Sequence, residues 1–89
     1  TCLETPAGGD PDIDLYSAVE STGTENALVT DLPETLLLSR GASWANGDVR
    51  GATVMPVANE YLYLAVGSAG GAPGTYTAGK FKITIYGTV

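Results

Sequence analysis

Apolar and polar residues alternate with a period of two in two stretches of the C-terminal third, residues 61–66 and 80–86. Alternation of this kind predicts half-buried strands, with one face towards a core and with tyrosines or lysines on the other face. The residues predicted to face inwards are Leu62, Leu64, Val66, Phe81, Ile83 and Ile85. The C-terminal third therefore contains a pair of predicted strands.

The segment between these strands, residues 67–79, is rich in glycine and includes Gly70, Gly71 and Pro73. Glycines permit positive φ angles and tight reversals, and this composition does not sustain a helix. The segment is also longer than a tight hairpin requires. It is predicted to be either a mobile arm or a segment that a partner orders.

Residues 12–19 form a third alternating stretch, in which Ile13, Leu15 and Val19 are predicted to point inwards. The preceding residues 5–11 contain prolines and glycines, which predicts a start rich in turns rather than a strand. The first regular element is therefore expected to begin near residue 12.

The middle of the chain has less regular patterns. Residues 27–30 are a short apolar run, and residues 34–39 contain three consecutive leucines, which predict a strand although one helical turn fits equally. Residues 41–48 predict a loop, because they include an Asn-Gly pair, a strong turn signal. Residues 49–57 return to an extended pattern, and Pro56, which lacks an N–H group, places this strand at a sheet edge or ends it.

Five or six short strands, with no amphipathic helix of three turns, predict an all-β protein. The expected fold class is a small antiparallel β-sandwich or a jelly-roll-like domain. Residues 1–89 have room for a single domain, and its core is thin because a chain of this length buries about 60–65% of its unfolded surface. The sequence opens at Thr1 rather than at methionine, which leaves open whether a segment precedes it.

Charge is distributed unevenly along the chain. The formal net charge is −6, and residues 1–48 hold nine acidic residues and one basic residue, whereas residues 49–89 hold three basic residues and one acidic residue. Four basic residues are too few to neutralise a run of phosphates, so no nucleic-acid partner is expected. No stretch approaches the ~20 apolar residues of a membrane helix, so no membrane partner is expected either.

Signatures of catalysis and metal binding are sparse. The chain has no histidine, which removes the usual general base near neutral pH and the commonest transition-metal ligand. Asp10, Asp12 and Asp14 share one face of an extended strand and predict a solvated acidic face, with a loop-assisted calcium site as the alternative. Cys2 is the only cysteine, so no internal disulfide forms. No catalytic residue, cofactor or metal ligand is assigned, and no enzymatic activity is expected.

Several aromatic side chains are candidates for binding. Three tyrosines fall on the outward faces of the terminal strands, and the single tryptophan lies in a predicted loop. Aromatic residues beside a sheet edge bind sugar rings or anchor protein interfaces, and cross-strand packing is the third interpretation. With three residues of the glycine-rich segment, the candidate interface residues are Tyr61, Tyr63, Tyr86, Trp44, Gly70, Gly71 and Pro73.

The last quarter of the chain carries a family resemblance. Residues 61–67 (Tyr-Leu-Tyr-Leu-Ala-Val-Gly) and 74–87 (Gly-Thr-Tyr-Thr-Ala-Gly-Lys-Phe-Lys-Ile-Thr-Ile-Tyr-Gly) resemble the C-terminal end of small tailed-phage virion proteins. In that group a Thr-Ala-Gly turn leads into a final strand that ends in tyrosine. The resemblance implies a bacteriophage decoration, or cement, protein, which binds the major capsid protein on the outer capsid surface of the virion as a dimer or trimer.

A second resemblance involves residues 9–16 (Gly-Asp-Pro-Asp-Ile-Asp-Leu-Tyr) and the later Gly-Thr-Tyr at residues 74–76. These motifs resemble β-sandwich domains appended to secreted bacterial peptidases, which implies an extracellular calcium- or carbohydrate-binding module. In those domains Gly-Thr-Tyr starts a strand with its own valines, whereas Ala78 and Gly79 follow Tyr76 here. The phage resemblance is therefore preferred, and capsid decoration is the predicted function.

Overall fold

A computed structural model of the chain describes residues 1–19, 33–67 and 75–87. Five strands are formed in these ranges, and no helix in them is long and apolar enough to cross a membrane. The strands are β1 (Cys2–Ala7), β2 (Ile13–Ala18), β3 (Glu34–Leu38), β4 (Tyr61–Val66) and β5 (Ala78–Phe81). The prediction of an all-β protein is confirmed.

The strands form two antiparallel sheets. β2 lies in the middle of a three-stranded sheet of order β3-β2-β4, and β1 pairs with β5 in a two-stranded sheet. The β2–β4 register is regular from Ile13 opposite Val66 to Ala18 opposite Tyr61. The β1–β5 ladder, which pairs Cys2 with Phe81, is irregular at two places. Two antiparallel sheets are consistent with the small β-sandwich that the strand pattern predicts.

The loop at residues 44–48 connects the two sheets. On one side, Trp44 donates hydrogen bonds from its indole Nε1 to Ile13 O (2.8 Å) and from its backbone N to Pro11 O (3.0 Å). On the other side, Cys2 N donates to Asp48 O and Gly47 N donates to Cys2 O, each at 2.8 Å. The loop therefore holds β1 beside the start of β2.

The buried core is centred on this loop. Cys2, Ile13 and Trp44 form its buried apolar cluster, with Leu38 and Phe81 packed against it. The Trp44 and Phe81 rings meet edge to face, with centroids 5.3 Å apart. Because the five residues come from both sheets and from the loop, the core depends on contacts between distant parts of the chain.

Several predicted boundaries are wrong. β1 includes residues 5–7 of the stretch predicted to be rich in turns, because β5 supplies a partner from the other end of the chain, whereas residues 8–11 lie outside the strands. No residue at positions 49–57 belongs to a strand, and the last strand ends at Phe81 instead of continuing to residue 86. The two predicted C-terminal strands also lie in different sheets. The apolar run at 27–30 lies outside the described residues.

Side-chain directions were predicted only in part. Ile13 is buried and Leu15 is half-buried, as the alternation predicts, but Val19 is exposed because β2 ends one residue before it. In β4, Leu62 and Val66 are half-buried, whereas Leu64 is exposed. An exposed leucine in the middle of a strand indicates that the space it faces is not filled by the described chain.

Candidate interaction surface

An apolar cleft of about 430 Å³ is lined by residues from both sheets. Buried residues at its base include Ile13, Leu37 and Trp44. Its sides are formed by Leu64 of β4 and by two stretches without regular structure, residues 49–56 and 82–86. We refer to this feature as the apolar cleft.

Large apolar side chains at the sides of the cleft are exposed to solvent. The exposed fractions are 67% for Met55, 60% for Ile85 and 83% for Tyr86, and Val49, Val54 and Ile83 are exposed as well. Soluble monomers rarely expose large contiguous apolar patches, and such patches mark binding sites for proteins or ligands. The apolar cleft is therefore the strongest candidate for a functional surface.

The backbone beside the cleft also lacks hydrogen-bond partners among the described residues. Residues 51–56 and 83–87 make no hydrogen bond within the described part of the chain, whereas Lys82 N still donates to Thr1 O at 2.8 Å. Unpaired N–H and C=O groups next to exposed apolar side chains are what a strand from another molecule can pair with. The cleft therefore offers both apolar surface and free backbone groups.

The structure separates the aromatic candidates. Tyr86 lines the apolar cleft, and Tyr61 is exposed elsewhere. Tyr63 is half-buried, and its hydroxyl donates to Val19 O at 3.0 Å. Trp44 lies in a loop, as predicted, but it is buried at the base of the cleft, and its indole N–H donates to Ile13 O. Gly70, Gly71 and Pro73 lie outside the described residues.

The acidic residues near β2 are not a solvated face, contrary to prediction. The exposed fraction is 3% for Asp12 and 1% for Asp14, because the start of β2 is covered by the Arg40–Trp44 region and by Gly67. Arg40 N donates to Asp14 Oδ1 at 2.9 Å, but Asp14 Oδ2 and both carboxylate oxygens of Asp12 have no hydrogen-bond partner among the residues that the structure describes. A Cβ atom on Gly67 would lie only 2.6 Å from Asp12 Oδ1, so a larger residue there would displace the Asp12 carboxylate.

Burial changes the acidity of this cluster. Loss of solvent, followed by repulsion from Asp14 and then Asp10, raises the pKa of Asp12 above its ordinary value, while Arg40 acts in the opposite direction. Burial, Asp10 and Asp12 also raise the pKa of Tyr76. In the described ranges, no group of three or more histidine, cysteine, aspartate or glutamate residues is arranged to hold a metal ion. The surroundings of Asp12 therefore favour its protonated form more than water does.

The sequence did not identify the cleft or its exposed residues at 49–56. The alternation of residues 49–57 and 80–86 predicts strands, whereas within the described residues no strand forms at 49–57, and in the second stretch pairing with β1 ends at Lys82. In a stretch without a partner strand, the same alternation of apolar residues indicates an interface with another molecule. Comparisons of the chain with protein-family models, with curated proteins and with solved structures found no match.

Proposed function

We propose that this chain is a non-enzymatic structural protein of a tailed-phage virion, which binds the outer capsid surface as a decoration or cement protein. The observation that carries the proposal is the apolar cleft, whose exposed side chains include Met55, Ile85 and Tyr86. The partner is the major capsid protein, and the resemblance of the last quarter of the chain to virion proteins supports that choice. The exposed apolar side chains of the cleft support binding to another protein.

The exposed side chains are sufficient for useful binding on a repetitive surface. Complete burial of one large apolar side chain contributes about 1.5–3 kcal/mol, and association costs an estimated 4–15 kcal/mol. Three such residues contribute about 4.5–9 kcal/mol, which offsets the lower part of that range. When the protein binds as an oligomer to a shell with many equivalent positions, linked contacts raise the overall affinity by a further factor of about 10² or more.

A charge placed in the cleft should weaken binding to the capsid. We expect Met55→Asp to reduce the affinity for capsids at least tenfold, since a carboxylate there would have to be desolvated on docking. The measurement is co-sedimentation of the purified chain with capsids assembled from the major capsid protein of the same phage. Leu3→Asp is the matched control, because Leu3 is 52% exposed on β1 and lies outside the cleft.

The Leu3→Asp control and the melting temperatures of both variants determine how the binding result is interpreted. Both variants add one negative charge at an exposed apolar residue, so non-specific repulsion would weaken them equally. A selective loss for Met55→Asp, at an unchanged melting temperature, supports docking through the cleft. Equal losses, or wild-type binding by Met55→Asp, would contradict the proposal.

A second candidate function is a cation-binding module of a secreted protein, and one observation favours it. The buried carboxylates of Asp12 and Asp14 have three oxygens without hydrogen-bond partners, which a cation could satisfy. This candidate requires calcium to raise the melting temperature, since calcium at a hundred times its Kd would stabilise the fold by about 2.7 kcal/mol. The decoration proposal predicts the same melting temperature in calcium and in EDTA. A calcium-dependent rise that Asp12→Asn removes would reverse the preference.

A further inference from the structure

The turn at residues 45–48 contains a pair of residues that can react with each other. Asp48 N donates to Ala45 O at 3.0 Å, and Gly47 has a φ angle of 86°, which glycine adopts readily. Asn46 and Gly47 are both exposed, and Asn46 is the only asparagine of the chain that a glycine follows. Because glycine has no side chain, nothing obstructs the approach of its backbone nitrogen to the asparagine amide. The turn therefore contains a candidate site of spontaneous modification.

The reaction requires only these two residues and water. The Gly47 nitrogen loses its proton and forms a bond to Asn46 Cγ, and the Cγ–Nδ2 bond breaks as ammonia leaves, which gives a cyclic imide. Water then opens the ring. Attack of water at Cγ gives aspartate, whereas attack at the backbone carbonyl carbon of residue 46 gives isoaspartate, in which the main chain passes through the former side chain.

β1 holds both reacting groups in the folded chain. Gly47 N donates to Cys2 O at 2.8 Å, and a hydrogen bond donated by a neutral N–H group opposes its ionisation. Asn46 Oδ1 accepts from Thr5 N at 2.6 Å and from Thr5 Oγ1 at 2.8 Å. These two donors would stabilise negative charge on Oδ1, but attack on Cγ requires the Gly47 nitrogen to leave Cys2 O first. The closed turn therefore protects Asn46.

One local opening releases both groups together, because Cys2 and Thr5 belong to the same strand. β1 is part of a two-stranded sheet, and its ladder with β5 is irregular at two places. A sheet of two strands is marginally stable, and segments with few partners open more often than the core of a protein does. Detachment of β1 is therefore the event that exposes Asn46 to attack.

We propose that Asn46–Gly47 is a site of spontaneous isoaspartate formation that β1 controls, and that the product prevents β1 from docking again. Aspartate at position 46 keeps an oxygen that accepts from Thr5, and its charge strengthens such bonds. Isoaspartate instead adds a methylene group to the main chain before Gly47. This displaces Gly47 N and Asp48 O, the two groups that bind Cys2. The site is independent of the proposed binding to a capsid.

The rate of modification in the folded and the unfolded chain is the first test. Peptide mass spectrometry detects the replacement of the amide by a carboxyl group, and a methyltransferase specific for isoaspartate detects that product. We expect modification of Asn46 in the native chain to be at least about tenfold slower than in the same chain unfolded in urea, because the rate follows the open fraction. A smaller difference, or no modification in urea, would overturn the proposal.

Replacing Thr5 with valine distinguishes protection from activation. The variant keeps the backbone N–H of residue 5 but loses the hydroxyl that donates to Asn46 Oδ1. We expect modification of the native variant to be about threefold faster than that of the wild type, in line with the loss of one exposed hydrogen bond. Thr35→Val makes the same change on β3 and should leave the rate unchanged. An unchanged or slower rate for Thr5→Val would contradict protection by β1.

The Cys2 thiol reports whether β1 has detached, since it is fully buried when the strand is docked. In a sample incubated until part of it is modified, chains with isoaspartate should react with iodoacetamide at least about tenfold faster than unmodified chains. Freshly prepared Asn46→Asp should protect Cys2 as well as the wild type does, because aspartate retains the acceptor for Thr5. A protected thiol in the isoaspartate chains, or a reactive thiol in Asn46→Asp, would refute the proposed effect of the product.

Discussion

Replacing Trp44 with alanine should lower the free energy of unfolding by about 3–5 kcal/mol, the usual cost of truncating a buried aromatic residue. Trp44 contributes more than volume, since its ring meets Phe81 edge to face and its indole N–H donates to Ile13 O. Domains of this size have a total stability of about 5–15 kcal/mol. The variant should therefore lose a large part of its stability, as measured by urea denaturation.

A graded control separates packing from hydrogen bonding at this position. Trp44→Phe retains an aromatic ring beside Phe81 but leaves Ile13 O without its donor, which costs about 1–3 kcal/mol for a buried group. The expected order of stability is wild type, then Trp44→Phe, then Trp44→Ala. A loss below about 1 kcal/mol for the alanine variant would show that the loop at 44–48 does not connect the sheets in the way described.

Replacing Asp12 with asparagine should raise the melting temperature at pH 7 by about 4–8 °C, the shift that 1 kcal/mol produces in a domain of this size. The carboxyl group is buried, and neither of its oxygens has a hydrogen-bond partner. Ionisation there is unfavourable, and asparagine removes the charge without changing the shape. The backbone bonds of residue 12, from its N to Asp10 Oδ1 and from Gly67 N to its O, are unaffected by the change.

The pH dependence of this effect has a definite sign. Burial, Asp14 and Asp10 raise the pKa of Asp12 in the folded chain, so the folded state binds the proton more tightly than the unfolded state does. The stability that this provides is complete below the unfolded pKa of about 3.9 and is lost as the pH rises through the raised folded pKa. The advantage of Asp12→Asn should therefore be small near pH 4 and grow towards pH 7.

Two comparisons make the measurement specific to Asp12. Glu34→Gln removes one charge from an exposed residue of β3 and should change stability by less than about 0.5 kcal/mol. Asp48 titrates in the opposite sense, because hydrogen bonds from the Ala45 backbone and Arg40 lower its pKa, so its contribution is lost only at more acidic pH. A constant difference between wild type and Asp12→Asn from pH 4 to 7 would contradict the prediction.

Local patterns were sufficient to predict the elements that pair regularly. β2, β3 and β4 were predicted close to their observed positions, because their apolar residues belong to one three-stranded sheet in which the β2–β4 register is regular. β1 was missed, because Pro6 and the following glycines locally favour turns, whereas its pairing with β5 is a contact between opposite ends of the chain. Pairing over such a distance has no local signature.

The candidate site was less predictable for a related reason. Burial of Asp12 and Asp14 depends on what covers the start of β2, and burial of Trp44 depends on where its loop docks. The exposure of Tyr86 was predicted, because the alternation of residues 80–86 places it on the outward face. Met55 was predicted on one face of a strand that does not form, so its place beside the apolar cleft could be recognised only in three dimensions.

The pairing of Cys2 with Phe81 also has a consequence for the order of folding. Synthesis proceeds at about 5–20 residues per second, so β1 must wait several seconds for the strand that completes its sheet, and contacts between such distant residues form slowly. The β2–β4 sheet can form before that step. Because the Cys2 thiol is fully buried in the completed fold, its reaction with an alkylating reagent stops when the sheet closes. The only thiol of the chain thus reports the last step of folding.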